Sequence, residues 1–239
     1  TISVHHRPDF EGIMDTAKKA LTAFIETGEI DKNLDGLDLP DVPLWAIWDV
    51  QQYAKEAGNP EAASRYGKLV KDLIKYIIDQ KHPYLKVANN GLVAVDGTQK
   101  PMTWMDASRP DGSPIIPRSG FIVEFNALWY NALRFAQNLF ADDVACIDEI
   151  KIWEELSEKV KQSFIATFLN DSGYLYDYVD GYYADPSVRP NMIIAAGLDY
   201  SPLDRRQRKS VLDFVTRELL TPKGLRTLSP NSYGYKPWY

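Results

Sequence analysis

Apolar residues recur every three or four positions over most of this chain, and this spacing limits the fold more than any other feature of the sequence. Ile13, Ala17 and Leu21 begin the pattern, and later segments repeat it. Such spacing gathers apolar side chains on one face of a helix. We therefore predict an all-α fold. The predicted helices span about 13–28, 43–58, 60–80, 120–140, 145–169, 191–197 and 202–220.

Long loops separate these helices. Asn89-Asn90-Gly91 and Asp96-Gly97 are typical of hairpins or turns, and the stretch 174–190 is rich in Tyr and Asp. Helix pairs joined by long, aromatic-rich loops favour an α/α toroid, in which loops at one end form the site. We predict that the loops 84–118 and 170–190 lie at the same end.

Composition excludes several classes of protein. The chain has 239 residues, which suits one domain over 1–239, and its net charge of −6 with a pI of about 5.2 argues against nucleic-acid binding. No apolar run is long enough to cross a membrane. Cys146 is the single cysteine, and His5, His6 and His82 lack ligand spacing. We predict no cofactor and no metal site.

One stretch carries the chemistry of a sugar site. Thr103-Trp104-Met105-Asp106 and Arg118 come shortly before a helix whose first turns hold Glu124, Asn126 and Trp129. A pyranose is bound by aromatic faces and by carboxylates or amides that contact its hydroxyls, and its hydrolysis needs an acid that protonates the leaving oxygen. The stretch therefore predicts a carbohydrate-active site.

The same stretch resembles the C-terminal glucosidase domain of glycogen debranching enzymes, whose pattern reads roughly TWMDA, a loop, then R-x-GKPVEINALWYNAL. Phe121-Ile122 stands where the family has Lys-Pro. Segments 41–45, 189–191 and 220–230 also resemble family segments, in the same order. The FTDWGRDT-like and HQGTVWPW-like segments of the family are absent, so we expect a toroid that is incomplete at both ends.

The resemblance implies an (α/α)6 toroid that removes α-1,6-linked glucose from branched α-glucan or malto-oligosaccharide. It makes Asp106 the general acid of an inverting reaction and places the base beyond Tyr239. We expect a cytoplasmic enzyme with no nucleic-acid or membrane partner, and we expect this fragment alone to be inactive. The residues that the resemblance and their chemistry mark for substrate binding are Asp41, Trp45, Trp104, Arg118, Glu124, Asn126, Trp129, Asn191 and Arg226.

Several of the candidate residues also have a structural interpretation. Asp106 could cap a turn, and Glu124 could lie at the positive end of a helix dipole. As an acid, Asp106 would need a raised pKa, which we expect Trp104 and Met105 to produce by desolvation. Trp129 falls on an apolar stripe and suits a core. The acidic residues of the 170–190 loop, interpreted as solvated, are Asp177, Asp180 and Asp185.

Two other functions remain open at this stage. The chain could be a non-catalytic carbohydrate-binding or regulatory toroid, because its second catalytic carboxylate is expected outside it. It could also be a related α/α-toroid glycosidase that acts on trehalose or another α-glucoside.

Overall fold

The computed structural model describes residues 7–30 and 36–237. Within them the chain forms two compact units. The first is built from the residues up to Val87 and from 132–156, and the second from 88–131 and from Ser157 onward. Along the described residues, no helix is long and apolar enough to cross a membrane. The prediction of a single domain over 1–239 stays a prediction.

Most described residues lie in helices at the predicted places. The early start of α1 and the late start of α4 are the main differences from the predicted bounds. The helices are α1 (Arg7–Thr27), α2 (Val42–Ala57), α3 (Asn59–Ile78), α4 (Val123–Leu139), α5 (Ile147–Phe168), α6 (Asn191–Gly197) and α7 (Arg205–Leu219). The all-α class follows from the apolar stripes that these helices bury.

The first unit is centred on α2 and α3, against which α1 packs. Ile47 of α2 and Leu73 of α3 belong to its core and are almost fully buried. The turn between the two helices ends α2 at Gly58, whose φ of 89° is one that a side chain would strain. The strand β1 (Lys86–Val87) closes this part of the sequence.

The second unit contains a small antiparallel sheet that the sequence did not predict. Its strands are β2 (Val93–Val95), β3 (Gly120–Ile122), β4 (Tyr178–Asp180) and β5 (Tyr183–Ala184). Phe121 lies opposite Ala94 on one side and opposite Val179 on the other. The loops 84–118 and 170–190 therefore each contribute a strand to one sheet of the second unit. That they lie at one end of the toroid stays a prediction. Strands of two or three residues are too short to show a period of two.

The same unit contains α6, α7 and a hairpin formed by β6 (Leu220–Thr221) and β7 (Gly224–Leu225). Asp204 begins α7 with a capping box. Its side chain accepts from the backbone N–H of Gln207, and the Gln207 side chain accepts from the N–H of Asp204. Val211, Val215 and Leu219 form the buried stripe of α7. The four-residue spacing of this stripe agrees with the helical period that the sequence predicted.

Candidate active site

A buried arginine lies at the centre of the second unit's polar groups. Arg118 Nη1 and Nη2 donate to Glu124 Oε1 and Oε2 at 2.5 and 2.7 Å. On its other edge, Nε and Nη2 donate to Asp177 Oδ2 and Oδ1 at 2.8 and 3.0 Å. All three side chains are 1% exposed. A planar guanidinium with two donor forks is the side chain that can hold two carboxylates in this way.

The sheet brings these three residues together. Arg118 lies just before β3 and Glu124 just after it, in the first turn of α4, while Asp177 immediately precedes β4. Because β3 pairs with β4, Asp177 is placed against Arg118, and the Val123 N–H donates to the Asp177 carbonyl at 3.2 Å. A side chain at Gly97 would collide with the carbonyl of Arg118, so the loop can approach this closely only at a glycine.

A second arginine lies beside the Arg118, Glu124 and Asp177 side chains. Arg189 Nε lies 3.7 Å from Asp177 Oδ2, so two arginines face two carboxylates. Burial raises the pKa of Asp177 to about 6, and the positive charge of Arg118 opposes this shift. Neither Arg118 nor Glu124 has a surface from which to bind a sugar, since both are buried and paired. We therefore interpret Arg118, Glu124, Asp177 and Arg189, the Arg118 cluster, as a support for the loops above it.

Asn191 connects this cluster to an exposed tryptophan. At the start of α6, its Nδ2 donates to Asp177 Oδ1 at 2.6 Å and lies 3.4 Å from the sulfur of Met105. Its Oδ1 accepts from Nε1 of Trp104 at 3.0 Å. Trp104 is 48% exposed. The indole is thus held by its N–H while part of the ring stays open to a ligand, as a platform for sugar stacking requires.

Asp106 follows this tryptophan and is exposed. The turn before it is fixed by the Met105 N–H, which donates to Thr103 Oγ1 at 3.2 Å. Ser108 Oγ donates to the carbonyl of Asp106 at 3.0 Å. Within the described part of the chain its carboxylate has no hydrogen-bond partner. The expected burial by Trp104 and Met105 is not found, because this turn projects the carboxylate into solvent.

Two predicted sugar-binding residues serve the fold instead. The Asn126 amide is fully buried and bonded to the backbone, accepting from the Val93 N–H at 2.7 Å and donating to the carbonyls of Val93 and Ile122. Trp129 is also fully buried, and its Nε1 donates to the Gly91 carbonyl at 3.2 Å. These contacts tie α4 to β2 and to the turn before it, and they leave neither side chain a surface for a sugar.

The remaining predicted residues lie elsewhere. Asp41 and Trp45 belong to the first unit, at the start of α2, where the Trp45 N–H donates to the Asp41 carbonyl at 2.9 Å. Trp45 is half-buried and makes an edge-to-face contact with Trp48, with ring centroids 5.6 Å apart. Arg226 is exposed beside the β6–β7 hairpin of the second unit. The structure thus brings together Trp104, Arg118, Glu124 and Asn191.

The acidic loop was interpreted wrongly for two of its three residues. Asp180 is exposed, but Asp177 is 1% and Asp185 5% exposed. Asp177 lies between Tyr176 and Tyr178, and an acid inside such an aromatic run is a signal for burial that could have identified it. Arg189 lay within a recognised family segment without an assigned role. Among the described residues, no group of three or more His, Cys, Asp or Glu is arranged to hold a metal ion.

Comparisons with known proteins identify the fold and the family of this chain. A crystal structure of a GH78 family rhamnosidase of Bacillus sp. GL1 is similar in fold, with a TM-score of 0.57 and 14% identity. The likeness covers 79% of this chain and 18% of the rhamnosidase, so the chain spans less than a fifth of that protein's length. A comparison with curated proteins finds no significant match. The prediction of an all-α fold of the α/α-toroid type is confirmed.

A family model described as amylo-alpha-1,6-glucosidase matches residues 30–239. The match includes residues 103–106, which we call the Trp104 loop, as well as the Arg118 cluster and α6. The chain therefore belongs to the amylo-alpha-1,6-glucosidase family and is a domain of the glycoside hydrolase type.

Proposed function

We propose that this domain removes α-1,6-linked glucose at the branch points of glycogen or limit dextrin, with Asp106 as the general acid. One observation carries the proposal. Trp104 is half-exposed and held at its N–H by Asn191, and the unpaired carboxylate of Asp106 follows two residues later. A fixed ring beside a free acid is the arrangement that binding a pyranose and protonating its glycosidic oxygen both require.

The Arg118 cluster supports this arrangement without touching substrate. Asn191 is held by Asp177 at 2.6 Å, and Asp177 is held in turn by Arg118. The indole of Trp104 therefore rests on side chains that are paired and buried. Such a support lowers the cost of ordering the loop when substrate binds, because the ring is already in place.

The proposed reaction is inverting. Asp106 protonates the glycosidic oxygen while a second carboxylate takes a proton from water on the opposite face of the ring. Glu124 and Asp177 are unsuited to this second role, because Arg118 binds both carboxylates and both are buried. In agreement with the family resemblance, we assign the base to a segment C-terminal to Tyr239.

The same pairing of Glu124 and Asp177 favours one rival function. If no base is supplied from elsewhere, the Trp104 loop binds carbohydrate without cleaving it, and the domain is a binding or regulatory module. The two functions predict the same binding and differ in glucose release. A trehalase-like activity predicts glucose release from trehalose in preference to branched dextrin.

The test compares two neighbouring carboxylates in the complete protein. Asp106→Asn keeps the size of the side chain and removes the transferable proton, so kcat for glucose release from limit dextrin should fall roughly 10²–10⁴-fold while binding is kept. Asp111→Asn is the matched control. Asp111 is exposed in the same loop, and its Oδ1 accepts from the Ser113 N–H at 2.9 Å, which an amide oxygen can still do.

Two results would decide against the proposal. An Asp106→Asn protein that keeps more than about a tenth of the wild-type kcat would exclude Asp106 as the acid. A wild-type protein that binds limit dextrin and releases no glucose would make the domain a binding module. The anomer released, followed by proton NMR, tests inversion, because an α-linked glucose must then leave as β-glucose.

A further inference from the structure

The second unit contains a cleft that the proposed reaction does not use. Its volume is about 490 Å³, and it is lined by Ser172, Tyr174, Tyr183, residues 185–188, two residues of α7 (Phe214 and Glu218) and residues 231–233. Small-molecule sites usually measure about 300–1,000 Å³. We call it the Tyr174 cleft. Its size suits a ligand of a few rings.

Aromatic rings form part of its wall. Tyr174 stacks on Phe214, with ring centroids 4.4 Å apart and planes at 30°. The Tyr174 hydroxyl donates to the Pro186 carbonyl at 3.1 Å. The ring is thus fixed at its hydroxyl and by stacking. Tyr183 is 54% exposed and lies across the same cleft. Two tyrosines, one of them fixed, offer stacking surface at a low entropic cost.

The polar groups of the cleft suit a neutral ligand with hydroxyl groups. Asp185 Oδ1 accepts from the Ser187 N–H at 3.0 Å, whereas its Oδ2 has no partner among the described residues. Hydrogen bonds from Asn231, Ser229 and Arg217 hold the pKa of Glu218 below its usual value, so this side chain stays charged. No Lys or Arg belongs to the lining. Glu218 is already paired, because its Oε1 lies 3.1 Å from Arg217 Nε and its Oε2 accepts from Ser229 and Asn231. Asp185 Oδ2 is therefore the oxygen that can accept a hydrogen bond from a ligand hydroxyl, and a carboxylate at this place disfavours phosphates and other anions.

We propose that the Tyr174 cleft is a second carbohydrate site, which binds a linear stretch of an α-glucan chain apart from the Trp104 loop. Tyr183 stacks on a glucose ring, and Asp185 Oδ2 accepts from a sugar hydroxyl. The inference rests on the carbohydrate substrate of the proposed function, but it does not depend on Asp106 or on hydrolysis. A glucan bound here would keep the enzyme on its polymer between cleavage events.

Linear maltoheptaose is a suitable probe, because it contains no α-1,6 bond. Its binding to the complete protein is measured by isothermal titration calorimetry, in a Trp104→Ala background that removes the ring of the candidate active site. Tyr183→Ala should weaken the remaining binding roughly five- to tenfold or more. Tyr183→Phe should restore it, because the ring is kept.

Tyr182→Ala is the matched control. Tyr182 neighbours Tyr183 in the same hairpin, is fully exposed and does not line the cleft. Its removal should leave maltoheptaose binding unchanged. If Tyr182→Ala and Tyr183→Ala weaken binding equally, the effect belongs to the hairpin as a whole and the cleft is not the site.

The remaining outcomes separate this inference from the proposed function. If Trp104→Ala alone abolishes binding, sugar binds only at the Trp104 loop, and the Tyr174 cleft is excluded while the proposed function stands. If the wild-type protein releases no glucose from limit dextrin yet Tyr183→Ala still weakens maltoheptaose binding, the cleft is a carbohydrate site and the proposed hydrolysis is wrong. Binding that survives Tyr183→Ala and Asp185→Asn in the Trp104→Ala background overturns the inference.

Discussion

Each unit of the molecule has an arginine that holds two carboxylates, and the two arrangements differ in burial. In the first unit, Arg65 Nη1 lies 2.7 Å from Glu11 and Nη2 2.7 Å from Asp15. The three side chains are 32%, 21% and 42% exposed. In the Arg118 cluster of the second unit, each of the three corresponding side chains is 1% exposed. The two arrangements contain the same types of side chain, but water reaches the Arg65 arrangement and hardly reaches the Arg118 cluster.

This difference decides what each arrangement contributes. An ion pair open to water typically contributes about 0–1 kcal/mol, because water solvates the separated charges almost as well. Breaking a buried pair leaves a charge without partner or solvent, which costs roughly 3–5 kcal/mol. We expect the Arg65 network to be replaceable, whereas the Arg118 cluster should fix the loops of the second unit. The following predictions test that contrast in order of expected effect.

The largest effect is expected from Arg118→Met. Glu124 would lose its cation and Asp177 would keep only the more distant Arg189, so the free energy of unfolding should fall by about 3–5 kcal/mol, and glucose release should be lost with the loop geometry. Urea denaturation of the complete protein measures the change. Arg118→Lys is the control for charge alone, and it should recover only part of the loss, because an ammonium cannot form both forks. A loss below about 1 kcal/mol in Arg118→Met would contradict the expectation that the buried Arg118 cluster contributes more to stability than the Arg65 network.

Glu124→Gln should have the next largest effect. The amide keeps one acceptor for Arg118 and loses the charge, and hydrogen bonds to charged groups contribute about 1.5–3 kcal/mol. Glucose release should fall less than in Asp106→Asn, because Glu124 acts through Arg118 and does not touch substrate. Azide provides the decisive measurement. Restored activity with azide in Glu124→Gln alone would identify Glu124 as the catalytic base.

The pH dependence of unfolding should differ in sign between the two arrangements. Because the pKa of folded Asp177 is raised from 3.8 to about 6, the folded state binds more protons, and stability falls as the pH rises through this window. The slope from this group cannot exceed about 1.4 kcal/mol per pH unit. The Arg65 hydrogen bond lowers the pKa of Asp15, so its contribution is present above pH 3.8 and is lost as the pH falls through the lowered value.

A comparison of the wild-type protein with Asp177→Asn isolates the contribution of Asp177 to the pH dependence of stability. Asp49, whose pKa burial raises to about 6, and His82, whose pKa burial lowers to about 4, also contribute to the wild-type profile. Their contributions are shared by both proteins and cancel in the difference. Denaturation between pH 4 and 7 should give a profile for Asp177→Asn that declines less steeply. Parallel profiles would show that Asp177 does not titrate in this window.

The smallest effect is expected from Arg65→Met. The substitution keeps much of the apolar stem and removes two partly exposed pairs, so the free energy of unfolding should change by about 1 kcal/mol or less. The change should shrink further at high salt, because exposed charges are screened. Thermal denaturation at two salt concentrations measures both quantities. A loss above about 2 kcal/mol that salt does not reduce would show that side-chain exposure does not predict how much the ion pairs of Arg65 and Arg118 contribute to stability.

Local patterns predicted the helices well and the sheet poorly. Asn191–Gly197 matches the predicted 191–197, because Pro190 and the apolar spacing mark the element within a few residues. The start of α4 was predicted at 120 and lies at Val123, because residues 120–122 pair with strands from two distant loops. A strand of three residues gains its stability from these partners, which no local window contains.

The candidate site was likewise predicted well where it depends on a short segment and poorly where it depends on distant partners. The motif around Trp104 and Asp106 was recognisable from residue types in a short segment, and the structure leaves both residues exposed. Arg118 and Glu124 were recognised as site residues, but their role depends on Asp177, which was interpreted as solvated. Asn126 and Trp129 were assigned to substrate, and their burial against β2 and Gly91 assigns them to the fold.

The sequence by itself determined the helices, the family and the short stretch that carries Trp104 and Asp106, because each depends on residues that are close together along the chain. The tertiary structure decided which charges are buried and which ring stays open. Arg118 and Asp177 are 59 positions apart, and their pairing follows from the contact of β3 with β4. Desolvation depends on every element packed around a side chain, and a linear sequence does not show that environment.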